Sequence, residues 1–126
     1  MLGRVYPTVA EAIETHRILI EEFGGSHGLR DKGLLEAAVF RPQSGYYATV
    51  IEEAAALMES LANNRACIDG NKRISLVMTD AMLRANGYLI DVETLAAHRF
   101  ITQSIEKREF RFEVIRDWLS SNVKSL

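Results

Sequence analysis

The sequence predicts an all-α protein, a compact bundle of about six helices. Apolar residues recur at the helical spacing of three and four along most of the chain, and no stretch shows the alternation typical of a strand. The helical stretches are mostly bounded by residues that favour helix ends. The 126 residues, 48% hydrophobic and 25% charged, are typical of one globular domain, residues 1–126.

The first helix is predicted from a capping box. In it, the Thr8 side chain accepts from the backbone N–H of Glu11, and the Glu11 side chain reaches back to Thr8. Gly24–Gly25 should end this helix, because glycine accepts the left-handed turn at a helix C-terminus. The residues expected on its buried face are Ile13, Ile20 and Phe23.

The second and third helices are predicted after Asp31 and Thr49. Asp31 can cap a short helix, which Pro42 stops by disfavouring helical backbone at Arg41. Thr49 opens a second capping box, and its helix should run to about Asn63–Asn64.

Three more helices follow. The strongest apolar pattern covers Asn71 to Ala85, and Asn86–Gly87 should end that helix. A short apolar connector, residues 88–90, leads to Asp91, which can cap the fifth helix, and the last helix spans roughly Phe112 to Asn122. The side chains available for burial are Ile74, Val77, Met78, Ala81 and Met82, then Leu95, Phe100 and Ile101, then Val114, Ile115, Trp118 and Leu119.

Bulk properties exclude several classes of protein. A net charge of −2 argues against a general nucleic-acid binder, and no apolar run is long enough to span a membrane. The first seven residues lack the apolar core of a secretion signal. The single cysteine, Cys67, cannot form an internal disulfide, and His16, His27 and His98 lack zinc-ligand spacing. A cytoplasmic location is expected.

The candidate site is the segment Asp69-Gly70-Asn71-Lys72-Arg73. Cations in the first turn of a helix are disfavoured by about 0.3–1 kcal/mol each, so Lys72 and Arg73 indicate a bound anion. A phosphate could be held by backbone N–H groups, by both cations and by the Asn71 amide, with Gly70 allowing close approach. Asp69 could hold Mg²⁺ beside a polyphosphate. Alternatively, Asp69 is only a helix cap, and Lys72 and Arg73 are solvated. The segment is not a Walker phosphate-binding motif.

The stretch Asn64-Arg65-Ala66-Cys67-Ile68-Asp69-Gly70-Asn71-Lys72-Arg73 resembles the signature of the Fic/Doc family, His-x-Phe-x-Asp/Glu-Gly/Ala-Asn-Gly/Lys-Arg. The resemblance covers most of the chain and implies an all-α fold, with the signature loop joining two central helices and binding ATP and Mg²⁺. Further stretches similar to the Doc branch are residues 23–25, 28–31, 34–36, 41–43 and 83–88.

The Doc branch implies a toxin that transfers the γ-phosphate of ATP to a translation elongation factor and halts growth, whereas most Fic members transfer AMP. Lys72 stands where AMP-transferring members carry a second glycine, and Leu76 stands where they carry a second arginine. Both positions favour the Doc branch over an AMP transferase. The chain lacks the family's inhibitory Ser/Thr-x-x-x-Glu-Gly/Asn stretch, so the resemblance implies an antitoxin that inhibits in trans.

Two positions depart from the family signature. Arg65 occupies the place of the catalytic histidine. The candidate catalytic residues are Arg65, at that position, together with Asp69 and Lys72. Arginine stays protonated and cannot accept the proton of a target hydroxyl, and losing a general base costs about 100- to 10,000-fold in rate. We therefore expect weak activity, or alternatively a catalytically dead protein that acts by binding its antitoxin. The sequence does not decide whether Arg65 is natural or an inactivating change.

Cys67 occupies the place of the family phenylalanine. It could be a reactive thiol, because Arg65 and Arg73 are close in sequence, but a small buried side chain is the favoured interpretation. His16 lies on the apolar side of the first helix and is expected to be packed and hydrogen-bonded rather than catalytic.

Overall fold

Residues 3–126 are described by a computed structural model, in which six α-helices surround a shared core. The all-α prediction is confirmed. Met1 and Leu2, at the start of the predicted domain of residues 1–126, lie outside the described residues. The helices are α1 (Val9–Phe23), α2 (Lys32–Phe40), α3 (Val50–Asn63), α4 (Asn71–Ala85), α5 (Thr94–Glu106) and α6 (Phe112–Asn122), and the strands are β1 (Tyr88–Ile90) and β2 (Val123–Ser125).

Three helices begin directly after the residues that the sequence predicts as their N-caps. Both capping boxes form, at Thr8 before α1 and at Thr49 before α3. The Asp31 side chain accepts from the backbone N–H of Leu34 at 3.0 Å and caps α2. A 3-10 turn, Arg41–Gln43, follows α2 where Pro42 stops the helix.

The centre of the fold is α3, which packs against α2, α4 and α6. Ten of its 14 residues are buried, and most of its buried positions are small or aliphatic. Small side chains let neighbouring helices approach α3 from several sides. Because residues 64–70 connect α3 directly to α4, this loop is anchored at both ends in the best-packed part of the molecule.

The short sheet was not predicted. Strands β1 and β2 pair antiparallel, with Tyr88 opposite Ser125 and Ile90 opposite Val123. The backbone N–H of Asp91 continues this pairing by donating to the carbonyl of Asn122 at 2.7 Å. The prediction that Asp91 caps the fifth helix is therefore wrong: α5 begins at Thr94, with Glu93 as its N-cap.

Several residues predicted to be buried are exposed, namely Ile13, Phe23, Val77, Ala81 and Leu95. The apolar faces of these helices are wider than the surfaces that their neighbours cover. Three of them, Phe23, Val77 and Leu95, line a cavity of about 530 Å³ between α1, α4 and α5. Within residues 3–126, no helix is long and apolar enough to cross a membrane.

Candidate functional site

The loop between α3 and α4 is shaped by backbone contacts with the loop that follows α1. The N–H groups of Arg30 and Asp31 both donate to the carbonyl of Ala66, at 2.7 and 3.0 Å. The N–H of Ile68 donates to the carbonyl of Gly28 at 3.1 Å. Two segments far apart in sequence therefore hold each other in a fixed conformation.

Arg65 sits at the start of this loop with left-handed backbone, at φ = +54°. Its carbonyl accepts from Arg30 Nε at 2.7 Å, and the carbonyl of Asn64 accepts from Arg30 Nη2 at 2.8 Å. The Arg65 side chain is exposed. The backbone conformation at position 65 is thus fixed by Arg30, and the position 65 side chain does not contribute to it.

The Asn71 side chain holds the loop from the first turn of α4. Its Oδ1 accepts from the N–H of Cys67, and its Nδ2 donates to the carbonyl of Cys67, both at 3.0 Å. A primary amide has two N–H donors, so one Nδ2 hydrogen remains for another acceptor. The hydrogen bond from Asn71 to a phosphate stays a prediction, and this second hydrogen is the one that would make it.

Asp69 is held from three sides. Its Oδ1 accepts from the N–H of Gly70 at 2.8 Å, its Oδ2 from the N–H of Ser26 at 3.1 Å, and its carbonyl from His16 at 2.7 Å. Since a carbonyl oxygen only accepts, His16 carries its proton on Nε2. His16 is 3% exposed, so the prediction of a packed, hydrogen-bonded histidine is confirmed. A Cβ at Gly25 would lie 2.6 Å from Asp69 Oδ2, which explains the glycine there.

The start of α4 has no side-chain cap. Gly70 is the N-cap residue, in left-handed conformation at φ = +77°, so the alternative in which Asp69 caps the helix is wrong. Backbone N–H groups of the first turn have no acceptor within a helix and carry its partial positive charge. Lys72 and Arg73 add two full charges to the same turn.

A cleft of about 680 Å³ brings together all six site residues predicted from the sequence, Arg65, Asp69, Gly70, Asn71, Lys72 and Arg73. Helix α5 also lines this cleft, through Leu95, His98, Thr102 and Ile105. This volume lies within the range of about 300–1,000 Å³ typical of small-molecule sites. Three cations and one carboxylate line the cleft beside the helix N-terminus, an arrangement that favours an anionic ligand.

His98 is the residue of this cleft that the sequence analysis missed. It lies between the cleft and the cavity of about 530 Å³, together with Arg73 and Leu95. Partial burial, and then the charge of Arg73, hold the pKa of His98 below its usual value. The only sequence signal was its spacing on α5, since residues 95, 98 and 102 share one helix face.

Arg73 stacks on an aromatic ring at the boundary of the two cavities. Its guanidinium carbon lies 4.1 Å from the centroid of the Phe23 ring, and Phe23 is 58% exposed. A cation over an exposed ring is stabilised by about 0.5–1 kcal/mol. The contact limits the positions that Arg73 adopts beside the cleft.

Cys67 is buried, at 2% exposed, and burial raises the pKa of its thiol to about 11. The thiol is therefore protonated at neutral pH, although Arg65 and Arg73 are close in sequence. The favoured interpretation, a small buried side chain, is confirmed, and the alternative of a reactive thiolate is not supported.

Mg²⁺ would find a partial site at Asp69. Each carboxylate oxygen accepts one backbone N–H, which leaves a further lone pair on each. Within residues 3–126, no cluster of three His, Cys, Asp or Glu residues could hold a metal ion. Phosphate oxygens and water would therefore complete the coordination, as is usual for Mg²⁺ bound with a nucleotide.

Two comparisons with known proteins found related sequences. A family model described as "Fic/DOC family" matches residues 6–83, which include the loop and most of α4. A curated protein from Mycolicibacterium smegmatis, named "Toxin Doc", is 46% identical over 70 residues, which cover 52% of this chain and 54% of that protein. The match thus spans about half the length of that relative.

Proposed function

Since this chain belongs to the Fic/DOC family, we propose that it is a Doc-type toxin of a toxin–antitoxin pair. The proposed reaction transfers the γ-phosphate of ATP to a hydroxyl of a translation elongation factor, at a rate lowered by Arg65. The name of its relative, "Toxin Doc", supports the toxin assignment. In this proposal the protein acts in the cytoplasm, where both ATP and the elongation factor are found.

The observation that carries this proposal is the uncapped N-terminus of α4 on the floor of the cleft. First-turn N–H groups, Lys72 and Arg73 would hold the phosphates, and Gly70 allows their close approach. An added Cβ at Gly70 would lie 3.3 Å from Ile20 Cδ1 and would need a left-handed conformation, so a side chain there is disfavoured.

Asp69 would hold Mg²⁺ with phosphate oxygens and water. When bound, Mg²⁺ neutralises charge that develops on the transferred phosphoryl group. The hydrogen bonds to Ser26 and Gly70 orient the carboxylate before any ligand arrives. His16 fixes the carbonyl of Asp69 and so supports the same position from the core.

Transfer of phosphate is favoured over transfer of AMP at two positions. Lys72 lines the cleft and is exposed, where the resemblance associates AMP-transferring members with glycine. Leu76 is only 8% exposed, and it brings no charge to the cleft where those members carry arginine. AMP transfer is therefore the less favoured alternative.

Arg65 lowers the proposed rate because its guanidinium cannot accept a proton from the target hydroxyl. The second candidate function, a catalytically dead protein that works by binding its antitoxin, is favoured by this residue alone. In both cases the antitoxin is proposed as a separate chain, because the sequence lacks the inhibitory stretch of self-inhibited Fic proteins.

The test compares this chain with Arg65→His in a cell extract supplied with γ-labelled ATP and Mg²⁺. We expect the variant to label one protein of elongation-factor size, about 100- to 10,000-fold faster than the original chain. Lys72→Ala in the Arg65→His background is the matched control, because it removes a phosphate contact and leaves the new base.

A parallel reaction with α-labelled ATP separates the alternatives. Label from the α position alone would mean AMP transfer and would contradict the proposal. No label from either donor with Arg65→His, together with tight binding of the antitoxin, would favour the binding function instead.

A further inference from the structure

We propose that His98 is the proton acceptor for the target hydroxyl in this chain, in the role that Arg65 cannot fill. The inference rests on the proposed phosphate transfer. It concerns a residue on α5, outside the loop that carries the family signature.

The structure places His98 in the lining of the same cleft as the phosphate site. His98 shares its face of α5 with Leu95 and Thr102, and all three line this cleft together with Asp69 and Lys72. A target hydroxyl that approaches phosphate on the floor of this cleft enters the space between α5 and the start of α4. His98 is half-buried there, so it is accessible from the cleft and partly shielded from water.

The other ionisable groups of the cleft are unsuited to accept the proton. Lys72, Arg65 and Arg73 are cations, and the carboxylate of Asp69 is the proposed Mg²⁺ ligand, so its remaining lone pairs would be directed at the metal. In the adjoining cavity, the ionisable groups besides Arg73 and His98 itself are Asp80 and Arg84, and those two residues pair with each other at 2.7 Å. From α1, the cavity is lined by Leu19 and Phe23, which do not ionise.

A neutral imidazole is the form that a general base needs. Partial burial and the neighbouring Arg73 both favour neutral His98, since each lowers its pKa. The neutral ring keeps one unprotonated nitrogen, which can take a proton in the transition state.

Atoms and electrons balance in the proposed step. The unprotonated ring nitrogen of His98 takes the proton of the target hydroxyl, while the hydroxyl oxygen forms a bond to the γ-phosphorus of ATP. The bond between the γ-phosphorus and the bridging oxygen breaks, and ADP leaves with that electron pair. The imidazolium then releases its proton to water, so the products are the phosphorylated protein, ADP and one proton.

The activity test uses the original chain, His98→Gln, Arg65→His and the double variant, with γ-labelled ATP. The original chain should label its target slowly, and His98→Gln should lower that rate by about 10- to 100-fold, because complete loss of a general base costs at most about 10,000-fold. In the Arg65→His background the same change should lower the rate only slightly, because the histidine introduced at position 65 supplies the base. Gln103→Ala, at an exposed position of α5 that lines neither the cleft nor the adjoining cavity, is the matched control and should change neither rate much.

Two outcomes would overturn the inference and remain distinguishable from each other. If Arg65→His is active while the original chain and His98→Gln label equally, the proposed function stands and the role of His98 does not. If no variant transfers phosphate, both proposals are wrong.

A second measurement does not depend on turnover. The pKa of His98 is followed by NMR, with and without a non-hydrolysable ATP analogue and Mg²⁺, and His98→Gln assigns the signal. Bound phosphates near the ring stabilise the imidazolium, so its pKa should rise by about half a unit or more. An unchanged pKa with the analogue bound would show that His98 lies too far from the phosphates to act.

Discussion

Asn71 and Asn86 make matching contacts at opposite ends of α4, which allows the role of the loop to be separated from stability. Asn71 binds the N–H and the carbonyl of Cys67, both at 3.0 Å. Asn86 binds the N–H and the carbonyl of Val5, at 2.9 and 2.8 Å, and also the carbonyl of Met82. Only the two hydrogen bonds between Asn71 and Cys67 shape the candidate site.

The cost of Asn71→Ala follows from these contacts. Two hydrogen bonds contribute about 0.5–1.5 kcal/mol each, and an unsatisfied buried donor costs about 1–3 kcal/mol. Cys67 is 2% exposed, so water does not easily replace the lost partner. We expect a loss of about 2–4 kcal/mol in the free energy of unfolding. For Asn86→Ala we expect a similar loss of about 2–4 kcal/mol, because three hydrogen bonds are removed and one of them is to the carbonyl of Met82, which is 2% exposed.

The assay measures both unfolding by urea and the affinity for a non-hydrolysable ATP analogue with Mg²⁺ by calorimetry. Asn71→Ala should weaken nucleotide binding about tenfold or more, which is about 1.4 kcal/mol, because the loop that carries Asp69 loses its anchor. Asn86→Ala should leave the affinity nearly unchanged. Equal weakening by both variants, or no weakening by Asn71→Ala, would refute the reasoning that Asn71 preorganises the site.

Three other substitutions test contacts within the loops. Gly25→Ala should destabilise the protein by about 1–3 kcal/mol and raise the Mg²⁺ concentration needed for nucleotide binding, because its Cβ would displace Asp69. Gly24→Ala, with nothing within 4 Å of its Cβ, is the control for the cost of left-handed backbone. Equal effects of the two substitutions would contradict a role for the contact with Asp69. Arg30→Ala should speed amide hydrogen exchange at residues 64–68, where it holds two carbonyls, and unchanged exchange would exclude this clamp. Burial raises the pKa of Cys67 from 9.0 to about 11, so the stability contributed by the neutral thiol is present below pH 9 and lost as pH rises to 11. In urea unfolding, the difference in free energy of unfolding between the original chain and Cys67→Ala should therefore shrink across that range. A difference that stays constant with pH would contradict this prediction.

The parts of the fold that sequence predicts well are those decided within a few residues. The caps at Thr8, Asp31 and Thr49 depend on a side chain and a backbone N–H three positions away, and all three form. The bounds of α4 and α6 also agree with the prediction, although neither helix has a side-chain cap, because their apolar period is itself local. The six candidate site residues lie in one loop and one helical turn, so their meeting in one cleft needed little long-range information.

The parts that sequence missed depend on partners far along the chain. The pairing of Tyr88–Ile90 with Val123–Ser125 joins residues about 35 positions apart, and three-residue strands leave no period to detect. The Asp91 carboxylate lies 3.5 Å from Lys124 Nζ of β2, and α5 begins three residues after Asp91. His98 belongs to the site only because α5 folds back over the start of α4, and that packing is invisible to local patterns.

At position 65, the backbone conformation of the loop does not depend on the side chain that the chemistry requires. The left-handed backbone there is one that histidine adopts more readily than most residues, whereas arginine has no such preference. Arg30 holds the carbonyl of residue 65 whatever its side chain is. Neither the loop nor the core therefore depends on the arginine. Under the proposed function, one substitution at this position removes the base of the family signature and leaves the phosphate site, the Mg²⁺ ligand and the fold intact.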